Sequence, residues 1–228
     1  MEKKQQALLF LDRNGFYFYV PGMENVATCV FPENILKDLE VVDPTGMENQ
    51  IKIFVSQWGI PSVDITMVLS ANIIFEKQIE SGSGELEEIN KFLESIPFER
   101  FEKIVTVEGG NKKIFAVNKN LTYGIEASFI KLKSSVSTVL PYYPLASLLQ
   151  TLPLDVTTAV SILKKVNDLK SYNMKHVEEV RSQKSTTEKP SGSSLTAPAK
   201  SSKKRVYLLG GVFAVLIVIM IIMFLNMK

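Results

Sequence analysis

Cysteine and histidine are almost missing from this chain: its 228 residues hold one of each, Cys29 and His176. A lone cysteine forms no internal disulfide. With a single histidine beside it, a structural zinc site or a multi-histidine catalytic metal centre has too few ligands. Serine–histidine or cysteine–histidine catalysis would have to use His176, which lies in a mostly polar helical stretch and reads as a solvated side chain. No P-loop, GxGxxG, HExxH or CxxC occurs. An excess of basic charge is missing as well. Residues 1–180 carry 18 Lys plus Arg against 23 Asp plus Glu, a net of −5, so the basic face that nucleic acid demands is not indicated. No secretory leader is expected either. Ala7–Leu11 is too short for one and runs into Asp12-Arg13-Asn14-Gly15.

Apolar surface, by contrast, is abundant, at 46% of residues. Val206 to Leu225 reads VYLLGGVFAVLIVIMIIMFL, twenty uncharged residues in succession. As a helix at ~1.5 Å per residue this run is about 30 Å long, the thickness of a bilayer's hydrocarbon core. A buried globular helix rarely stays apolar on all faces for that length. Gly210 and Gly211 are adjacent and lack the spacing of a GxxxG pair. Lys203, Lys204 and Arg205 precede the run and Lys228 alone follows it, so the positive-inside rule puts the N-terminal bulk in the cytoplasm. The expectation is a single-pass protein of the cell (inner, cytoplasmic) membrane, with a transmembrane helix over residues 206–225. The Asn120-Leu121-Thr122 sequon is then in the wrong compartment to be glycosylated. Residues 182–205 are expected to be a disordered basic Ser/Pro linker. Residues 181–205 hold 7 basic side chains and 1 acidic one, and too little apolar surface to offset the entropy of the chain. About 22 residues of such coil reach roughly 25 Å, and their charge also suits anionic head groups.

Residues 1–150 are expected to form the folded body, and residues 151–181 a C-terminal helix or stalk. ALLFLD (7–12) and GFYFYV (15–20) are two β-rich runs around Arg13 and Asn14, a tight hairpin. VATCVF (26–31) supplies a third strand after Pro21-Gly22, and Pro32 suits the first turn of a short helix, PENILKDL. Met47, Ile51, Phe54, Val55 and Trp58 form the stripe of an amphipathic helix over Gly46–Trp58. Strands follow at 63–69 and 73–79, a loop at Ser81–Gly84, and a helix over Glu85–Ile96 with Leu86, Ile89, Phe92 and Leu93 on one face. Ile104–Val107 and Lys112–Val117 flank a hairpin turn at Gly109-Gly110-Asn111. Then come a helix over Leu121–Lys131, a strand over Val136–Leu140, a short helix ending near Gln150, and a last helix over Val156–Val180 with Asp155 as its N-cap. That helix could pack on the domain or form a short coiled-coil stalk. The order describes a mixed α/β fold: a three-stranded antiparallel meander leading into a mixed sheet with helices on its faces.

This order, with Leu9-Phe10-Leu11-Asp12 and then Gly15-Phe16-Tyr17, resembles one half of the actin-like, ribonuclease-H-type fold. More narrowly it resembles the cytoplasmic actin-like domains of type IV pilus assembly proteins, the PilM group, and of their type II secretion counterparts, the GspL group. FLESIPFERFEKI (92–104) and KKIFAVNKNLTYGIEASFIKLKSSVSTVLP (112–141) resemble the later strand, helix, strand and proline unit of that family. The likeness covers roughly residues 5–150, and the linker and span match the layout of the secretion group. The departures are specific. Actin-like ATPases hold phosphate with D-x-G-[S/T] in the first hairpin. Here the segment is Asp12-Arg13-Asn14-Gly15-Phe16, with the glycine one place late and a phenylalanine at the hydroxyl position. The chain after residue 150 is also too short for the second domain that closes over nucleotide. The resemblance therefore implies a reduced, cytoplasm-facing scaffold.

Weighed singly, few residues suggest chemistry. Asp12, Asp64 and Glu108 lie near strand ends and would suit a two-metal nuclease only if they converged; Asp12 otherwise reads as a turn-stabilising acid. Gly109-Gly110-Asn111 is accounted for by its turn, and Trp58 reads as core. Phe16, Tyr17, Phe18 and Tyr19 alternate between the faces of a sheet. No catalytic, cofactor-binding or metal-binding residue is assigned, and no cofactor. The reading is not an enzyme but a membrane-anchored scaffold of a type IV pilus or type II secretion-like platform. Its partners would be the lipid bilayer and platform proteins, not nucleic acid; homo- and hetero-oligomers both fit. The other classes are a membrane-tethered divergent nucleotide hydrolase or nuclease, and a tail-anchored trafficking protein.

Overall fold

The structure, a computed structural model, describes residues 4–79, 82, 84–108, 111–149 and 153–175. The hairpin forms as its residues dictate: β1 (Gln5–Asp12) and β2 (Gly15–Tyr19) pair antiparallel, and Asp12 faces Gly15 across the two-residue turn. β3 (Ala27–Val30) adds antiparallel to β2. On the other side of β1, β6 (Val63–Leu69) and then β10 (Ser135–Pro141) add in parallel, giving the order β10-β6-β1-β2-β3. This is the mixed sheet that the order of elements describes.

Helices cover both faces, so alternate residues of one strand enter different cores. Leu9 and Leu11 of β1 and Phe16 and Phe18 of β2 point to one core, with α1 (Pro44–Gln57) and α3 (Lys119–Lys131) over it. There the Phe18 and Phe129 rings stack at 5.5 Å, and Phe54 meets Phe16 edge-on at 5.1 Å. Leu8, Phe10 and Tyr19 point to the second core, closed by Ala159 and Ile162 of α4 (Val156–Lys165). Both aromatic pairs of the β2 run are thus covered by helices, and Tyr17 is partly buried at the margin of the second core. Buried on both sides, β6 reads as an almost unbroken apolar run.

Between β6 and β10 the chain inserts a second, antiparallel sheet of order β7-β9-β8, built from β7 (Ile74–Ile79), β8 (Phe101–Glu108) and β9 (Asn111–Asn118). Ile74, Ile104, Phe115 and Val117 tie it to the first core. α2 (Glu85–Glu94) is fastened to it by ion pairs, Lys77 to Glu88 at 3.0 Å and Lys112 to Glu85 at 2.6 Å. Of its expected apolar face, Phe92 and Leu93 pack against the core while Leu86 is 72% exposed.

Three expectations need correction. PENILKDL does not form a helix. A single turn closes from Pro32, and the chain then reverses through the two-residue strands β4 (Leu36–Lys37) and β5 (Glu40–Val41). Asp38 and Leu39 take left-handed φ of 49° and 66° at that reversal. Its cause is tertiary: the buried Asn118 side chain donates to the Leu39 carbonyl at 2.9 Å, and Val42 N–H returns to Ile35 O at 2.9 Å. Trp58, expected in the core, caps the C-terminus of α1 beyond the buried Met47, Ile51 and Phe54 and is 47% exposed. The last helix does not run unbroken from Val156: α4 gives way to a 3₁₀ segment over Val166–Tyr172, kinked at Leu169. The open edge of β10 then draws the chain out of helix. Val139 N–H donates to Asn173 Oδ1 at 3.0 Å and Met174 N–H to Val139 O at 2.9 Å. Asp155 does cap α4, accepting from Thr158 N–H at 2.6 Å. Residues 176–180, the linker, the apolar run 206–225, and most of the loops at 81–84 and 109–110 lie outside the described residues.

Candidate functional site

In open α/β sheets a site forms beyond the carboxyl ends of parallel strands, where the strand order reverses direction. Here that point is the β1–β6 boundary, since the chain winds outward through β2 and β3 and returns on the far side of β1. The register aligns Leu11 with Leu69 and Leu69 with Pro141, so Asp12, Ser70 and Tyr142 are the next residues on three neighbouring strands.

At this rim the groups bond to one another. Ser70 Oγ donates to Asp12 Oδ1 at 2.7 Å, and Asn72 Nδ2 donates to the same oxygen at 2.9 Å. Ser70 Oγ also accepts from Asn72 N–H at 3.2 Å, starting the short 3₁₀ turn Ala71–Ile73, while Ser70 N–H donates to Leu11 O at 2.9 Å. Beyond Tyr142 a second group gathers from the inserted sheet. The Tyr142 hydroxyl donates to Glu76 at 3.0 Å, and Lys113 pairs with Glu76 at 3.0 Å. The Lys113 ammonium also lies 4.4 Å from the centre of the Tyr143 ring. Burial, then the Glu76 carboxylate, pushes the Tyr142 hydroxyl up to about 12.

The first hairpin is built by packing. Gly15 has φ +157°, and a Cβ there would lie 2.0 Å from the Cys29 carbonyl oxygen. Phe16, at the hydroxyl position of the phosphate-holding pattern, is buried among Phe31, Phe54 and Phe129. The Asn14 carbonyl accepts from Phe31 N–H at 2.8 Å. Arg13 lies 3.5 Å from Asp38 in an exposed ion pair. The rim therefore presents a carboxylate, a hydroxyl and an amide, and the cations named beside it already face Asp38 or Glu76.

The acids weighed from sequence do not meet. Asp64 lies at the opposite end of β6, level with Gln6 and roughly 17–20 Å from Asp12 at 3.3 Å per residue, where Ser135 and Ser137 donate to it at 3.1 and 2.9 Å. Glu108 pairs with Asn111 at the end of the other sheet. Among the described residues no group of three or more His, Cys, Asp or Glu side chains could hold a metal ion. Cys29 is buried, which pushes its thiol up to about 12. His176 is outside the described residues. Sequence reasoning missed Ser70, Asn72 and Glu76. The available signal was a Ser-x-Asn directly after an apolar strand, where a carboxyl-end site would be built.

No family model matches the chain, and no curated protein matches it in sequence. Solved structures do. One is a PilM–PilN type IV pilus biogenesis complex, with 14% identity, TM-score 0.42, and 65% of this chain over 52% of that one. Another is the cytoplasmic domain of EpsL, an inner membrane component of the type II secretion system of Vibrio cholerae, with 11% identity, TM-score 0.37, and coverage of 60% and 55%. These two come from the groups that its sequence resembles. A Bacteroides thetaiotaomicron protein with an actin-like ATPase fold also matches, at 15% identity, TM-score 0.32, and coverage of 64% and 58%. The matched part spans just over half the length of each of these chains. Among the described residues no helix is long and apolar enough to cross a membrane.

Proposed function

We propose that the chain is a non-catalytic adaptor, held at the inner membrane by Val206–Leu225, which docks cytoplasmic components of a type IV pilus or type II secretion-like platform. The observation that carries the non-catalytic part is the closure of the strand-end rim. Asp12 Oδ1 is occupied by Ser70 and Asn72, and the residue that would offer a hydroxyl to phosphate is the buried Phe16. A nucleotide's charge needs amides, hydroxyls or cations pointed at it, and the hydroxyl and side-chain amide of this rim are turned to Asp12 instead. The anchor rests on the twenty-residue apolar run and on Lys203, Lys204 and Arg205 before it. Held there, the domain raises the local concentration of whatever it binds. The class of machine comes from the resemblance over residues 5–150.

The test is a calorimetric titration of the full chain, in neutral detergent, with ATP and Mg²⁺. The expected result is no heat of binding at millimolar ligand. Saturable binding at micromolar ligand would overturn the adaptor in favour of a nucleotide hydrolase.

A further inference from the structure

The inserted sheet ends at β8. This strand pairs with β9 without a bulge from Phe101 to Glu108, carries no proline, and meets no further strand on its outer side among the described residues. Such an edge offers the backbone N–H and C=O groups of alternate residues to another strand.

The side chains beside that edge are apolar and partly uncovered. Val105 stands opposite Ile114, and Ile114 opposite Lys77; Val107 stands opposite Lys112, and Lys112 opposite Ile79. Residues opposite one another share a face of the sheet. α2 lies on this face, because Glu88 bonds Lys77 and Glu85 bonds Lys112. Here Ile79 and Ile114 are buried, whereas Val105 and Val107 are 42% and 65% exposed. The helix thus shelters β7 and β9 and leaves the edge strand open.

β8 is complementary to itself. Antiparallel pairing about a twofold axis sets the central residue opposite its own copy and keeps like faces together. Centred on Ile104, it sets Phe101 opposite Val107, Lys103 opposite Val105, and Glu102 opposite Thr106. Arg100, exposed at the head of the strand, comes level with Glu108 of the other copy, an opposite charge. Moving the centre to Lys103 sets that lysine against itself, and moving it to Val105 sets Glu102 level with Glu108. Like charges directly opposite are destabilising, so charge selects Ile104 over its neighbours.

We propose that β8 pairs antiparallel with β8 of a second copy, centred on Ile104, joining two three-stranded sheets into one. An interface of one strand pair falls at the low end of specific contacts, below about 1,200 Å², so the association is reversible. It depends on neither the membrane span nor the absence of catalysis.

Nitroxides on Val107→Cys and, separately, on Arg100→Cys, in the full chain in neutral detergent, read this contact, since Cys29 is buried. In the proposed register the two copies of Val107 are six residues apart along the strands, and those of Arg100 eight. At ~3.4 Å per residue, double electron–electron resonance should give separations of about 20 Å and about 27 Å. The paired fraction should fall on dilution. Val105→Lys, which sets an ammonium opposite Lys103 of the second copy, should lower that fraction several-fold, and Val105→Glu should raise it. Val105 is exposed, so the unfolding midpoint should be the same in both variants. No separation at the highest concentration reached, separations that fit another register, or a paired fraction that Val105→Lys leaves unchanged, overturns the proposal.

Discussion

Ser70 Oγ and Asp12 Oδ1 lie 2.7 Å apart across the carboxyl rim of the central sheet, joining the end of β1 to the residue after β6 over 58 positions of sequence. The bond falls where the strand order reverses, the place at which this kind of sheet carries its chemistry. Here the carboxylate is used to hold the strand ends together.

Asp12→Ala should therefore act on stability. It leaves Ser70, which is buried, and Asn72 without their acceptor, so unfolding in urea should show a loss of about 1–3 kcal/mol. Asp12→Asn retains an acceptor and should lose less. Capture of partner proteins from membranes should be unchanged in both. A variant that folds normally and is inactive in the cell would instead make Asp12 a reacting group.

Gly15→Ala tests whether the hairpin glycine serves packing. Its new Cβ would meet the Cys29 carbonyl at 2.0 Å, backbone that cannot swing aside. The expected cost is about 3 kcal/mol or more, read as a lower midpoint in denaturant. A neutral outcome would mean that β2 and β3 are further apart than described.

A buried thiol and a partly buried hydroxyl make stability fall in alkali. The Tyr142 hydroxyl is raised from 10.0 to about 12, and the Cys29 thiol from 9.0 to about 12. Each is neutral when protonated and ionises more easily in the unfolded chain. Its stabilising contribution is thus complete below the unfolded value and is lost as pH climbs through 9 or 10 toward about 12. Thermal midpoints should drop over this window, and Tyr142→Phe should flatten the part above pH 10. At pH 8 the native thiol should resist alkylation and react only after unfolding; prompt labelling would show that Cys29 is open to solvent.

Ending the chain at residue 202 should move the protein from the membrane pellet to the supernatant, because it removes Lys203–Arg205 and the apolar run. Continued pelleting in high salt would locate the membrane contact within the folded body.

Much of the body was legible because its signals are local. ALLFLD and GFYFYV alternate about Arg13-Asn14, and the observed register joins Asp12 to Gly15 as a two-residue turn requires. Met47, Ile51 and Phe54 mark the buried face of α1, and Asp43 caps it. The misreadings had distant causes. PENILKDL has a helix's punctuation, but its reversal is held by Asn118, 79 residues away from Leu39. Trp58 continues the apolar stripe of α1 yet stands at its C-cap, four residues past Phe54, the last buried residue of the helix. Leu86 shares a face with Phe92, but α2 is held by Glu85 and Glu88, which turns the start of that face to solvent.

By itself the sequence determined which segments alternate, where hairpins turn, that one cysteine and one histidine are too few for most metal chemistry, and that residues 206–225 are apolar enough to span a bilayer. Each of these is a property of neighbouring residues. Only the tertiary structure decided that Asp12 is bonded by Ser70 and Asn72, that Asp64 lies at the far end of the sheet, and that β8 is the edge of its own. Those relationships depend on which strands become neighbours and on their register. That choice is made by the burial of two whole faces at once, which no short stretch of sequence contains.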